Sequence, residues 1–295
     1  MERLLTELMG RPVRVVDSRV VGGGCIADSR RMRLQDESGN ETDWFVKSQA
    51  MGDFDALCCE ARGLRLLAAS NQILTPEPLG PVSDEHVALL ALPWLETGSH
   101  SPAFFRNFGQ QLARHHRATE GNRLGLDHDN FLGRSPQINQ TDAADWIAFF
   151  AQCRLEPQIR WARDSGLADQ RLSRRMNDIQ THLSDLLDGR EDVTSLLHGD
   201  LWSGNYMAVA NAPGVAWIDP AVSWGCREME FGMLRLFGGC PRDFYEAYQE
   251  EYRMPDGWED RVDVYVLYHL LNHLNLFGVG YLNSCMEVAD RILRR

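Results

Sequence analysis

The sequence predicts an α+β fold with two lobes, which we place at residues 1–96 and 97–295. The first is a small lobe with an antiparallel β-sheet and one main helix, and the second is larger and mostly helical. Short β-branched runs separated by turn residues recur between residues 13 and 92, and this pattern is typical of strands. Helical spacing of apolar residues dominates afterwards. A stretch rich in Gly, Ser, His and Pro at residues 98–102 indicates a hinge between the two lobes.

The N-terminal elements form a predicted hairpin with a glycine-rich tip, followed by a strand that carries Lys47. Alternating apolar residues indicate strands, and the apolar residues Leu57, Ala61 and Leu64 have helical spacing. The expected elements are strands at 13–21, 31–34 and up to 47, a helix at 54–69, and strands near 78–82 and 87–92.

The C-terminal part is predicted to be mainly helical, with one strand–turn–strand unit at 194–221 that interrupts the helices. The helical spacing continues to Arg294 near the end of the chain. The expected helices cover 104–117, 143–165, 171–187, 228–237, 242–253, 260–277 and a last segment ending at Arg294.

Charge and composition exclude several classes of partner. A net charge of −12 and a pI near 5.2 argue against nucleic acid or an anionic membrane, whose phosphates require clustered Lys and Arg. The first residues lack the basic start of a signal peptide, and the longest apolar stretch is too short for a membrane span. Seven cysteines without a CxxC pair do not resemble a disulfide framework. We therefore expect a cytoplasmic protein.

Lysine usage points to a phosphate site. Lys and Arg total 30, yet Lys47 is the single lysine of the chain. An ammonium is a compact point charge that suits two neighbouring phosphates, whereas a guanidinium is a broad planar fork. The glycine-rich tip precedes Lys47, and its backbone amides could cover a triphosphate, although such a run can also form only a tight turn. The residues predicted to cover it are Gly22, Gly23, Gly24, Cys25 and Ile26.

One segment carries the predicted chemistry. Asp200 is followed by four residues and then Asn205, and Asp219 lies further along. Phosphoryl transfer from ATP needs a positioned hydroxyl and metal ions that neutralise phosphate charge. An Asp that accepts the hydroxyl proton, with an Asn and a second Asp as Mg²⁺ ligands, meets that need in the order found in kinases. The segment therefore predicts an ATP-dependent kinase that acts on a small molecule, in which His198 is structural.

Further segments without a general role in phosphoryl transfer narrow this prediction. Together with the residues above, they resemble the fructosamine kinase (ketosamine-3-kinase) family, and the resemblance extends from the glycine-rich tip to the last helix. It implies a protein-kinase-like fold related to aminoglycoside phosphotransferases. The segments that carry it are 125–133, 136–139, 154–158, 236–239 and 267–281.

The resemblance also implies roles for individual residues. Asp200 becomes the base that accepts the proton, and Asn205 and Asp219 become Mg²⁺ ligands. Lys47 becomes the phosphate contact, and Glu60, on the helix after it, holds the lysine in place. The hinge residues expected to bind the adenine edge are Pro93, Trp94 and Leu95, and the residues expected on the sugar side are Trp202 and Trp224.

The implied reaction uses ATP and Mg²⁺ to phosphorylate the 3-hydroxyl of a 1-amino-1-deoxyketose, either a small ketosamine or a glycated lysine side chain. Such 3-phosphates are unstable and release the free amine, so the implied role is deglycation. Cys226 stands where the family often has His, a departure on the sugar side of the site. We expect a monomer or a weak homodimer.

Two alternatives remain open on the sequence. The first is an aminoglycoside- or choline-type phosphotransferase, which differs only in the hydroxyl acceptor. The second is a kinase-like regulatory protein without turnover, which the complete set of charged positions disfavours. A separate hypothesis concerns Cys25, whose thiol could be oxidised and so inhibit ATP binding. A small residue tolerated at a loop tip is the simpler interpretation of Cys25.

Overall fold

A computed structural model describes residues 1–22, 28–190, 193–210 and 214–295. The chain divides into two compact units. The first contains Met1–Phe104 and Gly204–Ala221, and the second contains Phe105–Ser203 and Val222–Arg295. The predicted tip residues Gly23, Gly24, Cys25 and Ile26 lie outside the described residues. Their contact with phosphate and the redox hypothesis for Cys25 therefore stay predictions.

Most of the expected strands and helices are present, but the helix at Glu2–Met9 was not among them. The strands are β1 Val13–Val20, β2 Asp28–Asp36, β3 Glu41–Ala50, β4 Leu79–Ser83, β5 Val87–Pro93, β6 Asn130–Leu132, β7 Ser135–Gln137, β8 Ser195–Leu197, β9 Tyr206–Ala208, β10 Val215–Trp217 and β11 Ser223–Gly225. The helices are α1 Glu2–Met9, α2 Phe54–Ala68, α3 Pro102–Ala118, α4 Trp146–Phe149, α5 Glu156–Asp164, α6 Gln170–Thr181, α7 Leu183–Leu186, α8 Glu228–Leu236, α9 Arg242–Glu251, α10 Trp258–Phe277 and α11 Leu282–Ile292. No helix in the described part of the chain is both long and apolar enough to cross a bilayer.

The first unit contains the predicted antiparallel sheet, in the order β1-β2-β3-β5-β4. Successive side chains on a strand point to opposite faces, so each strand serves two packing layers. Helix α1 covers one face through Leu4, Leu5 and Leu8, which pack with Val46 of β3. Helix α2 forms the other layer, whose buried residues are Leu57, Ala61, Leu64, Ala88, Leu90 and Leu92.

The hairpin of β9 and β10 belongs to the first unit, although it lies far from the sheet in sequence. Backbone hydrogen bonds hold it there: the Trp217 N–H donates to the Leu74 carbonyl at 3.0 Å, and the Gly98 N–H donates to the Ala208 carbonyl at 2.8 Å. The expected lobe boundaries, 1–96 and 97–295, stay a prediction. The hairpin matters because Asn205 and Asp219 flank it.

The second unit depends on one close helix contact. A Cβ atom added at Gly232 of α8 would lie 2.7 Å from the Cβ atom of Tyr265 on α10. Only glycine therefore lets these two helices approach so closely. Buried aromatic rings pack around the same helices, and Trp146 donates from Nε1 to the Tyr265 hydroxyl at 3.1 Å. This packing fixes the position of α8, which lies next to the loop that contains Asp200.

Two predicted helices are interrupted in the structure. The segment expected at 143–165 begins at Trp146, because Asp145 caps α4 by accepting a hydrogen bond from the Ala148 N–H. A π-helix at Phe150–Leu155 then separates α4 from α5. The segment expected at 171–187 breaks at His182, where the backbone leaves helical geometry. Apolar periodicity alone does not reveal such breaks, because the apolar positions on either side stay in phase.

The short hairpin of β6 and β7 was not predicted, and a buried polar network explains it. Asn130 donates to the Val222 carbonyl at 2.8 Å and accepts from the side-chain amides of Gln137 and Asn139. The buried Arg154, in the π-helix, donates to Asn139 Oδ1 at 2.7 Å. A run of polar residues in a sequence usually predicts a loop. Here these polar side chains form hydrogen bonds with one another inside the fold.

Candidate active site

Lys47 and Glu60 meet because of strand and helix periodicity. Val46 points to the α1 face of the sheet, so the next residue, Lys47, points to the α2 face. Glu60 lies on α2 between Leu57 and Leu64, which pack on that same face. The Lys47 ammonium is 2.8 Å from each Glu60 carboxylate oxygen. The predicted pairing of Lys47 with Glu60 is therefore present in the geometry.

Asp219 adds a second carboxylate to the same ammonium. Lys47 Nζ donates to Asp219 Oδ1 as well as to Glu60. Asp219 follows β10 and adopts a φ of 55°, an uncommon conformation for a residue other than glycine. Such a conformation persists only where surrounding contacts enforce it, and it is frequent at functional sites. The side chain of Asp219 is 36% exposed, whereas that of Lys47 is 7% exposed.

Burial and charge oppose each other in this cluster. Burial alone would lower the pKa of Lys47, but the carboxylates of Asp219 and Glu60 raise it above its ordinary value, so the ammonium stays charged. For Glu60, burial raises the pKa of the carboxyl, and the Lys47 ammonium offsets this only in part. One cation thus faces two carboxylates. A further cation bound at Asp219 would offset the remaining negative charge.

The second predicted metal ligand lies beside the first. Asn205 is buried just before β9, its carbonyl accepts from the Ile218 N–H at 3.0 Å, and its amide nitrogen is 3.5 Å from the Asp219 carbonyl. Amide and carboxylate oxygens are hard donors that suit Mg²⁺, which usually takes one or two protein ligands and completes its shell with water and phosphate. The residues present therefore fit a magnesium ion held by Asn205 and Asp219.

The predicted hinge residues lie at the end of β5 in the first unit. Pro93 pairs with Trp44, and the Trp94 N–H donates to the Asp43 carbonyl at 3.1 Å. The Trp94 ring also stacks under the Arg31 guanidinium, 4.5 Å from its centroid. These contacts fix the backbone from Pro93 to Leu95, whose expected role in adenine binding stays a prediction.

Asp200 lies in the second unit, in a loop that we call the Asp200 loop (residues 198–203). Its N–H donates to His198 Nδ1 at 3.2 Å, and the imidazole of His198 is fully buried. Because Nδ1 accepts this bond, any proton on the neutral ring is on Nε2. His198 thus orients the Asp200 backbone.

Glu230 is a residue of the site that the sequence interpretation missed. Its carboxylate, buried on α8, accepts from the backbone N–H groups of His198 at 2.7 Å and Gly199 at 3.0 Å. Gly199 has a φ of 82°, which glycine adopts without strain. Burial raises the pKa of Glu230, and its hydrogen bonds partly oppose this shift. In the sequence, Glu230 stands among the apolar residues of 228–236, and this was the signal that could have identified it.

A second layer of polar groups lies around Glu230. His116 Nε2 is 3.8 Å from Glu230 Oε2, and His116 Nδ1 is 2.9 Å from the Tyr248 hydroxyl. Arg227 also donates to that hydroxyl, at 2.9 Å. Burial lowers the pKa of His116 well below its ordinary value, so the ring stays neutral at pH 7. This layer restricts the carboxylate that holds the Asp200 loop.

The two predicted sugar-side tryptophans have different surroundings. Trp202, in the Asp200 loop, packs against Phe237 with a ring distance of 5.3 Å. Trp224, on β11, lies under the Arg123 guanidinium and exchanges backbone hydrogen bonds with Gly125. Cys226 is buried, and burial raises the pKa of its thiol to about 12. It is therefore a packing residue with an un-ionised thiol.

Replacing Lys47 with Met should destabilise the protein in a pH-dependent way. The pKa of Glu60 is raised above 4.5, so its contribution to folding is present below pH 4.5 and is lost as the pH rises through the raised value. Without the ammonium this loss increases, since two carboxylates are left without their cation. We expect a cost on the order of 3 kcal/mol at pH 8 and much less at pH 5, measured by urea unfolding. The double variant Lys47→Met/Glu60→Gln should show a flatter profile, and a penalty independent of pH in the single variant would contradict the assignment.

Replacing Glu230 with Gln should lower kcat of the predicted ATP-dependent reaction by roughly 10- to 100-fold with little change in KM for ATP, because it disturbs the Asp200 loop. Initial rates at varied ATP measure both constants. Glu228→Gln is the matched control: this acid is buried on the same helix but pairs with Arg261 at 2.7 Å. Equal kcat values in the two variants would show that Glu230 does not position the loop.

Known proteins resemble this chain over its whole length. The family model described as fructosamine kinase matches residues 1–295. A probable ketoamine kinase from Synechocystis is 34% identical over 98% of this chain and 95% of its own length. A chloroplastic protein-ribulosamine 3-kinase from Arabidopsis thaliana is 33% identical over 99% of this chain and 87% of its own length.

Solved structures give the same result. A Thermobifida fusca protein, solved as a candidate fructosamine-3-kinase, has a TM-score of 0.84 at 30% identity and covers 100% of this chain and 99% of its own. The aminoglycoside phosphotransferase APH(4)-Ia has a TM-score of 0.67 at 15% identity, with 99% and 96% covered, which shows a shared kinase-like fold alone. The predicted resemblance is confirmed. The chain belongs to the fructosamine kinase family.

Proposed function

We propose that this protein transfers the γ-phosphoryl group of ATP to the 3-hydroxyl of a ketosamine and so leads to deglycation of the amine. The observation that carries the proposal is the Lys47 ammonium, held between Glu60 and Asp219, with Asn205 beside Asp219. Family membership supports the sugar acceptor, since relatives bear the names ketoamine kinase and protein-ribulosamine 3-kinase. The substrate class is a small ketosamine or a glycated lysine side chain.

The first unit supplies the groups that bind the nucleotide. Lys47 contacts the phosphates, and Glu60 fixes its position through two 2.8 Å contacts. The backbone from Pro93 to Leu95 binds the adenine edge, and the tip at residues 22–26 covers the phosphates. Asn205 and Asp219 hold Mg²⁺, which neutralises phosphate charge.

The second unit supplies the base. Asp200 accepts the proton of the 3-hydroxyl while the sugar oxygen bonds to the γ-phosphorus and the bond from phosphorus to the β-phosphate oxygen breaks. His198 and Glu230 hold the backbone of the Asp200 loop, so the carboxylate is positioned before substrate arrives. Trp202 and Trp224 border the sugar. We also propose that the protein has two lobes, is located in the cytoplasm and is a monomer or a weak homodimer.

Incubation with ATP, Mg²⁺ and a panel of acceptors tests the substrate class. The panel contains fructosamines, ribulosamines, aminoglycosides and choline, and ADP release is the readout. We expect ADP release with a ketosamine and none above background with aminoglycosides or choline. Release only with an aminoglycoside or choline would favour the alternative phosphotransferase, and no release with any acceptor would favour the non-catalytic protein.

Replacing Asp200 with Ala should lower kcat by about 10²- to 10⁴-fold and leave KM for ATP largely unchanged. The variant removes the base but keeps the groups that bind phosphate, which lie on other elements. Steady-state rates at varied ATP give both constants, and nucleotide binding by calorimetry gives an independent affinity. A comparable loss of ATP affinity would show that Asp200 is mainly structural.

A further inference from the structure

A row of aromatic side chains in the second unit begins at the Asp200 loop and continues over the ends of α8 and α10. We call it the aromatic strip and define it as Trp202, Phe237, His273, Phe277 and Tyr281. Neighbouring rings are in contact: the centroid distances are 5.3 Å for Trp202–Phe237, 5.3 Å for Phe237–His273, 5.4 Å for His273–Phe277 and 5.2 Å for His273–Tyr281. The strip is therefore continuous.

Two members of the strip are unusually exposed for aromatic residues, while His273 between them is buried with 8% exposure. Phe237 is 42% exposed and Phe277 is 54% exposed, whereas the other phenylalanines of the described ranges are buried or half-buried. Val279, which follows Phe277 closely, is 65% exposed. Folding gains little from apolar side chains left in water, and contiguous exposed apolar surface commonly marks a binding site.

The strip carries no positive charge at neutral pH. His273 Nδ1 donates to the His269 carbonyl at 2.8 Å, and burial lowers the pKa of the ring below its ordinary value. The other members are Trp, Phe and Tyr side chains. The faces of such rings are electron-rich and attract cations. A ligand that combines an apolar body with a cationic nitrogen would therefore match this surface.

A ketosamine combines these two features. Its amine nitrogen is bonded to C1, two carbons from the C3 that bears the phosphorylated hydroxyl, and it is protonated at neutral pH. The substituent on this nitrogen must therefore extend from the sugar at a point near Asp200, the base in the proposed function. Trp202, where the strip begins, lies two residues after Asp200 in the same loop.

We propose that the aromatic strip binds the substituent on the ketosamine nitrogen, an alkyl or arylalkyl group carried by a protonated amine. This inference rests on the proposed function and adds to it the determinant of amine preference. Phe237 and Phe277 supply the apolar contact for the body of the substituent, and the ring faces near Trp202 stabilise the ammonium.

Two acceptors with one sugar and different amines test the proposal. They are the N-methyl and N-benzyl derivatives of 1-amino-1-deoxyribulose, each assayed for kcat and KM with wild type, Phe237→Ser and Phe277→Ser. Both phenylalanines are exposed, so their replacement removes little buried packing. Val193→Ser is the matched control, because Val193 is 37% exposed in the same unit but is not part of the strip.

We expect wild type and Val193→Ser to prefer the benzyl compound in kcat/KM by on the order of 10-fold. The strip variants should lose most of this preference through a higher KM for the benzyl compound, with kcat and the methyl compound unaffected. Turnover of both compounds without a preference in wild type, or a preference that survives in both strip variants, would overturn the proposal alone. Absence of turnover with either compound in wild type would instead refute the proposed function.

Discussion

The contact on which the first unit depends is the Lys47 ammonium between two carboxylates. Lys47 lies on β3, Glu60 on α2 and Asp219 after β10, so one cation connects the sheet, its covering helix and a hairpin distant in sequence. An unpaired charge in this buried position would destabilise the folded state. The opposite charges of the ammonium and the two carboxylates reduce that cost. The left-handed backbone conformation of Asp219 occurs at this same contact with Lys47. Lys47 and Asp219, which would bind the nucleotide and its metal ion, therefore also connect elements of the unit.

In the second unit the main constraint is the position of a loop, whereas in the first unit it is the pairing of a buried charge. A loop has few backbone hydrogen bonds of its own, and the Asp200 loop obtains them from a carboxylate buried beneath it. Glu230 can accept two N–H groups because both its oxygens are acceptors. Its position in turn depends on the close contact of α8 with α10 at Gly232. Packing far from the reacting groups thus positions the proposed base.

The segments that distinguish this family also have a physical role. Residues 125–139 contain no group with an assigned part in phosphoryl transfer, yet their amide side chains form the buried network around Asn130 and Arg154. Gly125 has a φ of 60° and pairs with Trp224, and any Cβ there would lie 2.0 Å from the Asn139 carbonyl oxygen. These residues hold β11 and the tryptophan on it.

Features that depend on local residue spacing could be inferred from the amino-acid sequence. Alternation indicated the strand that carries Lys47, apolar spacing indicated the helix that carries Glu60, and the order of Asp200, Asn205 and Asp219 indicated the chemistry. Which distant groups contact each other depends on tertiary packing and could not be inferred in this way. Glu228 and Glu230 are two buried acids on one helix, yet one pairs with Arg261 and the other holds the Asp200 loop. Periodicity assigns a residue to a face of its element, but its partner across the fold depends on how the elements pack.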